Sequence, residues 1–125
     1  MTDDPYSARV RAYFMNPRHA GDLEDAVSTD IEAQGVRLRL AAATSDGRIS
    51  GLRFRAWGCP HLIAAAEAFC DACEGGPVAA LTSFAASELM QSLPVPVQKT
   101  GRILVLEDAA RSLGHMVGDG SGRGG

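Results

Sequence analysis

The chain has 125 residues, 46% hydrophobic and 22% charged, with a net charge of −3 and a pI near 5.5. That length suits one domain with its own core, and the acidic balance argues against a general nucleic-acid binder. No apolar run approaches the ~20 residues of a membrane span, and the acidic opening MTDDPYSARV does not read as a secretory leader. Three cysteines, an odd number, fit reduced thiols in a cytoplasmic chain better than a disulfide framework.

Residues 6–15 carry a helical pattern with Val10, Tyr13 and Phe14 on one face, and Asn16-Pro17 ends it. Residues 18–30 are polar and mixed, with Ser28-Thr29-Asp30 reading as a turn. Val36, Leu38 and Leu40 then alternate with Arg37 and Arg39, the pattern of a half-buried strand. Ser45-Asp46-Gly47 is a hairpin signal. Beyond it Leu52, Phe54 and Ala56 alternate with Arg53, Arg55 and Trp57. The pair predicts an antiparallel hairpin with one wet, arginine-rich face.

Gly58-Cys59-Pro60 breaks the second strand, and Pro60 suits the first turn of a helix. That helix should run to about Cys73 and stop at Glu74-Gly75-Gly76-Pro77. A helical turn over 78–81 and a short helix over 83–91, with Ser83 as a candidate cap, come next. Residues 93–97 alternate Leu and Val with Pro and must be extended. A final helix over 102–113 has Ile103, Leu106 and Ala110 on one side. The glycine-rich end suits a flexible tail. Strands and helices are segregated, so the class is α+β, a small antiparallel sheet covered on one face by helices. The organisation expected is one domain over 1–113 and a flexible tail over 114–125.

The chain resembles the NifU/IscU-type iron–sulfur cluster assembly scaffold domain. Asn16-Pro17-Arg18 followed by Gly21 matches the opening of that domain. Gly47-Arg48-Ile49 through Phe54 to Gly58-Cys59 matches its central cysteine motif, and Ile63-Ala64 the start of the next helix. Leu93-Pro94 and Leu106-Glu107-Asp108-Ala109 resemble the region of the last motif. The resemblance implies a sheet packed against helices with a cluster site at one end. It implies a role in cluster assembly without catalysis, and a cysteine desulfurase or another assembly protein as partner. It also implies departures. Scaffolds of the family use three cysteines and an aspartate, and only the central cysteine is present, as Cys59. Ala33-Gln34-Gly35 stands where the first motif is expected and Gly101-Arg102 where the last cysteine is expected. The family's Leu-Pro-Pro-Val-Lys element, which contacts a chaperone, is only approximated by residues 93–99.

The candidate site residues follow from thiolate and imidazole chemistry. At a helix start, free N–H groups and the helix dipole stabilise a thiolate at Cys59, and His61 lies two residues on. Both are candidate ligands for iron, zinc or an iron–sulfur cluster, which usually take four. Two ligands do not make a structural site, so a homodimer or no metal at all is equally compatible. The alternative is an inherited helix-start cysteine in a packed position, in a binding or regulatory module that kept the fold without cluster chemistry; a Cys59-dependent enzyme is a third reading. Cys70 and Cys73 have Cys-x-x-Cys spacing, but Cys70 lies about 16 Å along the helix from Cys59, so the pair reads as structural thiols, with a metal or disulfide role as the alternative. His19 reads as loop packing, with a ligand role at the Cys59 end as the alternative, and His115 as part of the tail. Arg37, Arg39, Arg53 and Arg55 read as a solvated sheet face or a docking surface for an acidic partner. Arg102 is a cation that can neutralise a Cys59 thiolate or bind an anion.

Overall fold

A computed structural model describes residues 8–93 and 95–124. The first helix, α1 (Ala8–Met15), ends at Asn16-Pro17 as the sequence predicts. Tyr6 lies outside the described residues, as do the side chains of Val10 and Phe14; Tyr13 packs against the core. Three strands follow: β1 (Val27–Ala33), β2 (Val36–Ser45) and β3 (Arg48–Trp57), in the sheet order β1-β2-β3 with both pairs antiparallel.

The predicted hairpin is β2–β3. Its two-residue turn, Asp46-Gly47, has φ of 54° and 77°, the mirror-image turn that aspartate and glycine tolerate. β1 corrects the reading of Ser28-Thr29-Asp30 as a turn. These residues pair in register with Ala41, Leu40 and Arg39. A second turn of the same type, Gln34-Gly35 (φ 56° and 76°), joins β1 to β2.

One face of the sheet is apolar. Val36, Leu38, Leu40, Ala42, Ile49, Leu52 and Phe54 are all buried. An irregularity between Ala43 and Thr44, opposite Gly51 and Ile49, shifts the phase of β3, which is why both Ile49 and Leu52 point inward. This face is covered by α2 (Pro60–Cys73), lying on β3, and α5 (Thr100–Gly124), lying on β1 and β2. Leu62, Ala65, Ala66 and Phe69 of α2 and Ile103, Leu106, Ala110 and Leu113 of α5 are buried. Burial of each large side chain contributes roughly 1.5–3 kcal/mol.

Two short helices, α3 (Ala79–Thr82) and α4 (Ala86–Ser92), close one side of this core, and Phe84 meets Phe69 edge to face at 4.8 Å. Ser83 does not cap α4. Its hydroxyl donates to the Ala79 carbonyl (2.9 Å), whereas the first N–H of α4, at Ala86, is taken by the Glu107 carboxylate (2.8 Å). A single 3₁₀ turn (Val97–Lys99) leads into α5. α5 runs past Leu113, where the sequence reading placed the start of a flexible tail. Gly114 is buried and Val117 is 3% exposed. A Cβ at Gly114 would lie 2.6 Å from the Thr82 Cγ2 and 2.9 Å from the Leu81 Cβ, so glycine here lets α5 cross α3 in contact.

Candidate functional site

The chain leaves β3 through Gly58, at φ +105°. This is a backbone region L side chains avoid, and the turn is tight: a Cβ at Gly58 would stand 3.0 Å from the Gly35 carbonyl oxygen. Cys59 is then the N-cap of α2 with Pro60 next, and its carbonyl accepts from Ile63 N–H (3.1 Å). The thiol makes no capping hydrogen bond, and Cys59 is only 2% exposed.

The three stretches in which family ligands are expected meet here. The Gln34-Gly35 turn packs on Gly58 through the Gly35 carbonyl. Gly101, at the start of α5, faces the Gln34 side chain, and a Cβ built on Gly101 would lie 3.1 Å from the Gln34 Oε1. Lys99 is close enough to act on His61: burial, then the Lys99 charge, holds the His61 imidazole below its ordinary pKa. His61 is 2% exposed. Arg102, beside Gly101, is half-buried. Cys59 and His61 therefore lie in the core-facing start of α2, and the other two corners carry an amide and a glycine. Among the described residues, no three of His, Cys, Asp or Glu converge in a way that could hold a metal ion.

The remaining cysteines fit the structural reading. All three are free thiols. Cys70 is fully buried and Cys73 is 9% exposed. Burial, with the neighbouring Glu67 carboxylate adding to it, pushes the Cys70 thiol well up, and burial raises Cys73.

His19 packs its loop onto α2 and does not reach the Cys59 end. It is buried, with its backbone N–H donated to Glu67 Oε1 (2.7 Å), Nδ1 on Glu67 Oε2 (2.6 Å) and Nε2 on Glu74 Oε1 (3.1 Å). Glu67 is about 12 Å along α2 from Cys59, so His19 serves the far half of the helix and not the Cys59 end. Glu74 in turn accepts from Leu52 N–H (2.9 Å) and from Arg53 (2.7 Å). Against the opposing effect of partial burial, these donors and His19 hold the Glu74 carboxyl below its ordinary value. Glu67 and Glu74 carry this network, and the sequence reading did not single them out. A glutamate in the apolar run of α2 was the available signal, since a buried carboxylate demands donors.

The arginine face is largely neutralised from within. Arg37 is bidentate on Asp30 (3.0 and 3.3 Å) and lies over the Trp57 ring at 5.0 Å. Arg55 is bidentate on Asp22 (2.9 and 3.0 Å), and Arg53 is held by Glu74. Hydrogen bonds from Arg55 and Arg37 lower Asp22 and Asp30. Among the described residues Arg39 is the member of the stripe without an ion pair, which favours a solvated face. His115 is exposed on α5.

Known proteins share this fold. A family model for the NifU-like N-terminal domain matches residues 5–113. The chain is 28% identical to the bifunctional protein NifU/MnmA of Rubrobacter xylanophilus over 137 aligned positions, which take in 94% of this chain but span only 28% of that protein's length. The fold is similar to the crystal structure of a NifU-like N-terminal protein from Brucella abortus, with a TM-score of 0.75 at 14% identity, covering 94% of this chain and 96% of that one. It is also similar to a candidate iron–sulfur cluster assembly scaffold for the SUF system from Fervidobacterium islandicum AW-1, with a TM-score of 0.58 at 17% identity and coverage of 84% and 81%. With a family match that takes in the sheet, α2 and the packed part of α5, this chain belongs to the NifU-like N-terminal domain family of iron–sulfur cluster assembly scaffolds.

Proposed function

We propose that this protein works in iron–sulfur cluster assembly without building a cluster on its own ligands, and keeps Cys59 as a single thiol able to take sulfur or metal. The observation that carries the reading is the meeting of Gln34-Gly35, Cys59 and Gly101 at one end of the fold with one thiol among them. Clusters and zinc are held by thiolates and imidazoles, usually four, and this corner supplies Cys59 and at most His61. Its partner is a cysteine desulfurase or another assembly protein, the protein itself being non-catalytic. No helix among the described residues is long and apolar enough to cross a membrane.

Anaerobic incubation with iron and sulfide, and separately with a cysteine desulfurase and its substrate L-cysteine as the source of sulfane sulfur, tests this. The expected result is no stoichiometric cluster absorbance, together with a persulfide mapped by mass spectrometry to Cys59. A stable stoichiometric cluster overturns the loss of cluster building. Neither cluster nor persulfide overturns the assembly role and leaves a binding or regulatory module that kept the fold. The 2% exposure of Cys59 favours that second reading.

A further inference from the structure

The outer edge of β3 is closed at Leu52 and Phe54 and open at Ala56. Phe54 donates its N–H to His19 O (3.0 Å) and accepts Gly21 N–H on its carbonyl (2.8 Å), so both groups point away from β2. The Leu52 N–H points the same way and ends on the Glu74 carboxylate (2.9 Å). Strand backbone repeats every two residues, so the N–H and C=O of Ala56 face this edge as well. Among the described residues neither group has a partner. The loop that covers Phe54 turns off before it reaches them. Beyond Gly21 it doubles back over the sheet, with Asp22 on Arg55 and Leu23 against Gly51.

Ala56 also lines a cavity of about 370 Å³ at this edge. Pro17, Ala20, Phe54, Trp57 and Ile63 give the cavity apolar walls, and Trp57 is 43% exposed. Arg55 lines it too, with Nη1 outside the bidentate pair to Asp22. Arg39, opposite Arg55 in register, has no ion pair among the described residues, and its charge helps to lower Asp22. Two guanidiniums therefore share one carboxylate. We propose that this cavity is a docking site for an extended, acidic segment of a partner protein, which adds to the edge of β3 at Ala56. The chemistry of the wall defines the segment. A backbone carbonyl and N–H at strand spacing answer the two open groups of Ala56. An apolar side chain fills the cavity, and a neighbouring carboxylate answers the surplus cation of Arg39 and Arg55. A second copy of β3 does not fit, because the loop already occupies Phe54 in both copies and leaves too short an edge for a ladder. The site is independent of any chemistry at Cys59.

The probe is a capped pentapeptide, acetyl-Glu-Val-Leu-Val-Glu-amide, titrated into the isotope-labelled protein and followed by amide NMR. The expected result is a saturable downfield shift of the Ala56 amide, with changes at Trp57 and Ile63 and none at Cys70 or Leu113. A copy of the peptide N-methylated at its three central residues keeps every side chain and loses the backbone donors. It should bind at least about tenfold more weakly. Ala56→Pro removes the donor on the protein side and spares the β2 ladder, since that N–H points outward, and it should weaken the peptide by a similar factor. Should Ala56→Pro not fold, Ala20→Phe, which fills the cavity from the loop, makes the same comparison. Lysine in place of both glutamates should weaken binding about threefold, the scale of an exposed ion pair. The site is overturned by the absence of a saturable Ala56 shift up to about 1 mM peptide, or by equal binding of the N-methylated copy. Equal binding of the lysine copy overturns the acidic partner. An Ala56 shift that follows protein concentration without peptide puts a second copy on the edge and overturns the partner segment.

Discussion

Glu67→Ala removes the acceptor of two buried hydrogen bonds at once. The His19 backbone N–H (2.7 Å) and ring Nδ1 (2.6 Å) both end on this carboxylate, and Glu67 and His19 are 2% and 7% exposed. Each of the two buried donors left unmade costs about 1–3 kcal/mol, so the expected loss is about 2–6 kcal/mol, a large share of the roughly 5–15 kcal/mol that keeps a domain folded. His19→Ala removes the ring but leaves its backbone N–H on Glu67, so it should cost less. Urea unfolding followed by circular dichroism on wild type, both single variants and the double variant isolates the pairwise energy. A coupling of at least about 1.5 kcal/mol is expected, well outside the ~0.5 kcal/mol within which independent sites add. A loss under about 1 kcal/mol for Glu67→Ala, or additive single effects, would refute the account of this network as the fastener between residues 17–21 and α2.

Other expectations follow from single contacts. Gly114→Ala gains helix propensity of about 1 kcal/mol, but its Cβ would lie 2.6 Å from Thr82 Cγ2 and 2.9 Å from Thr82 N; crowding of about 1–3 kcal/mol should prevail, seen as a lower urea midpoint. Gly58→Ala puts a Cβ 3.0 Å from Gly35 O at φ +105°, which should cost about 1–3 kcal/mol and shift the amide resonances of the 34–36 turn. Stability should fall on acidification in two stages. His61 is depressed below 6.5 in the fold by burial and Lys99, so the unfolded chain takes up its proton first and stability declines as pH drops below 6.5. Glu74 is depressed below 4.5 despite its partial burial, so its contribution is full above 4.5 and is lost as pH falls through its folded value. Urea midpoints from pH 8 to pH 3, with Lys99→Met expected to weaken the upper stage, check the sign; stability that rises on acidification rejects it.

Much of this molecule is legible where local chemistry and tertiary contacts agree. Asp46-Gly47, the alternation of β2 and β3, and the Gly58-Cys59-Pro60 entry to α2 all declare themselves through turn preference, period and proline. β1 does not, because none of its residues is fully buried: Ser28, Thr29 and Ile31 are half-buried and the other four are exposed. It is a strand by virtue of its ladder to β2, and its turn uses glutamine where a hairpin usually shows asparagine or aspartate. The end of α5 was hidden for the opposite reason. Glycine there reads as chain flexibility, but at Gly114 it serves close packing on α3. The meeting of Gln34, Cys59 and Gly101 lies between residues far apart in sequence, so family resemblance could suggest it and spacing could not. The Glu107 acceptor on α4 and the Glu67–His19 fastening are long-range pairs of the same kind.

The outer edge of β3 has a consequence for how the protein behaves at high concentration. An open strand edge invites another chain to add to the sheet, the first step towards aggregates. Here Phe54 is already satisfied by residues on the neighbouring loop, donating to His19 O (3.0 Å) and accepting from Gly21 N–H (2.8 Å), while the Leu52 N–H is consumed by the Glu74 carboxylate. A bare loop and one acidic side chain thus blunt the edge. The same His19 and Glu74 that brace the interior of the fold hold that guard in place, so loosening them should make the protein stickier before it makes it unfold.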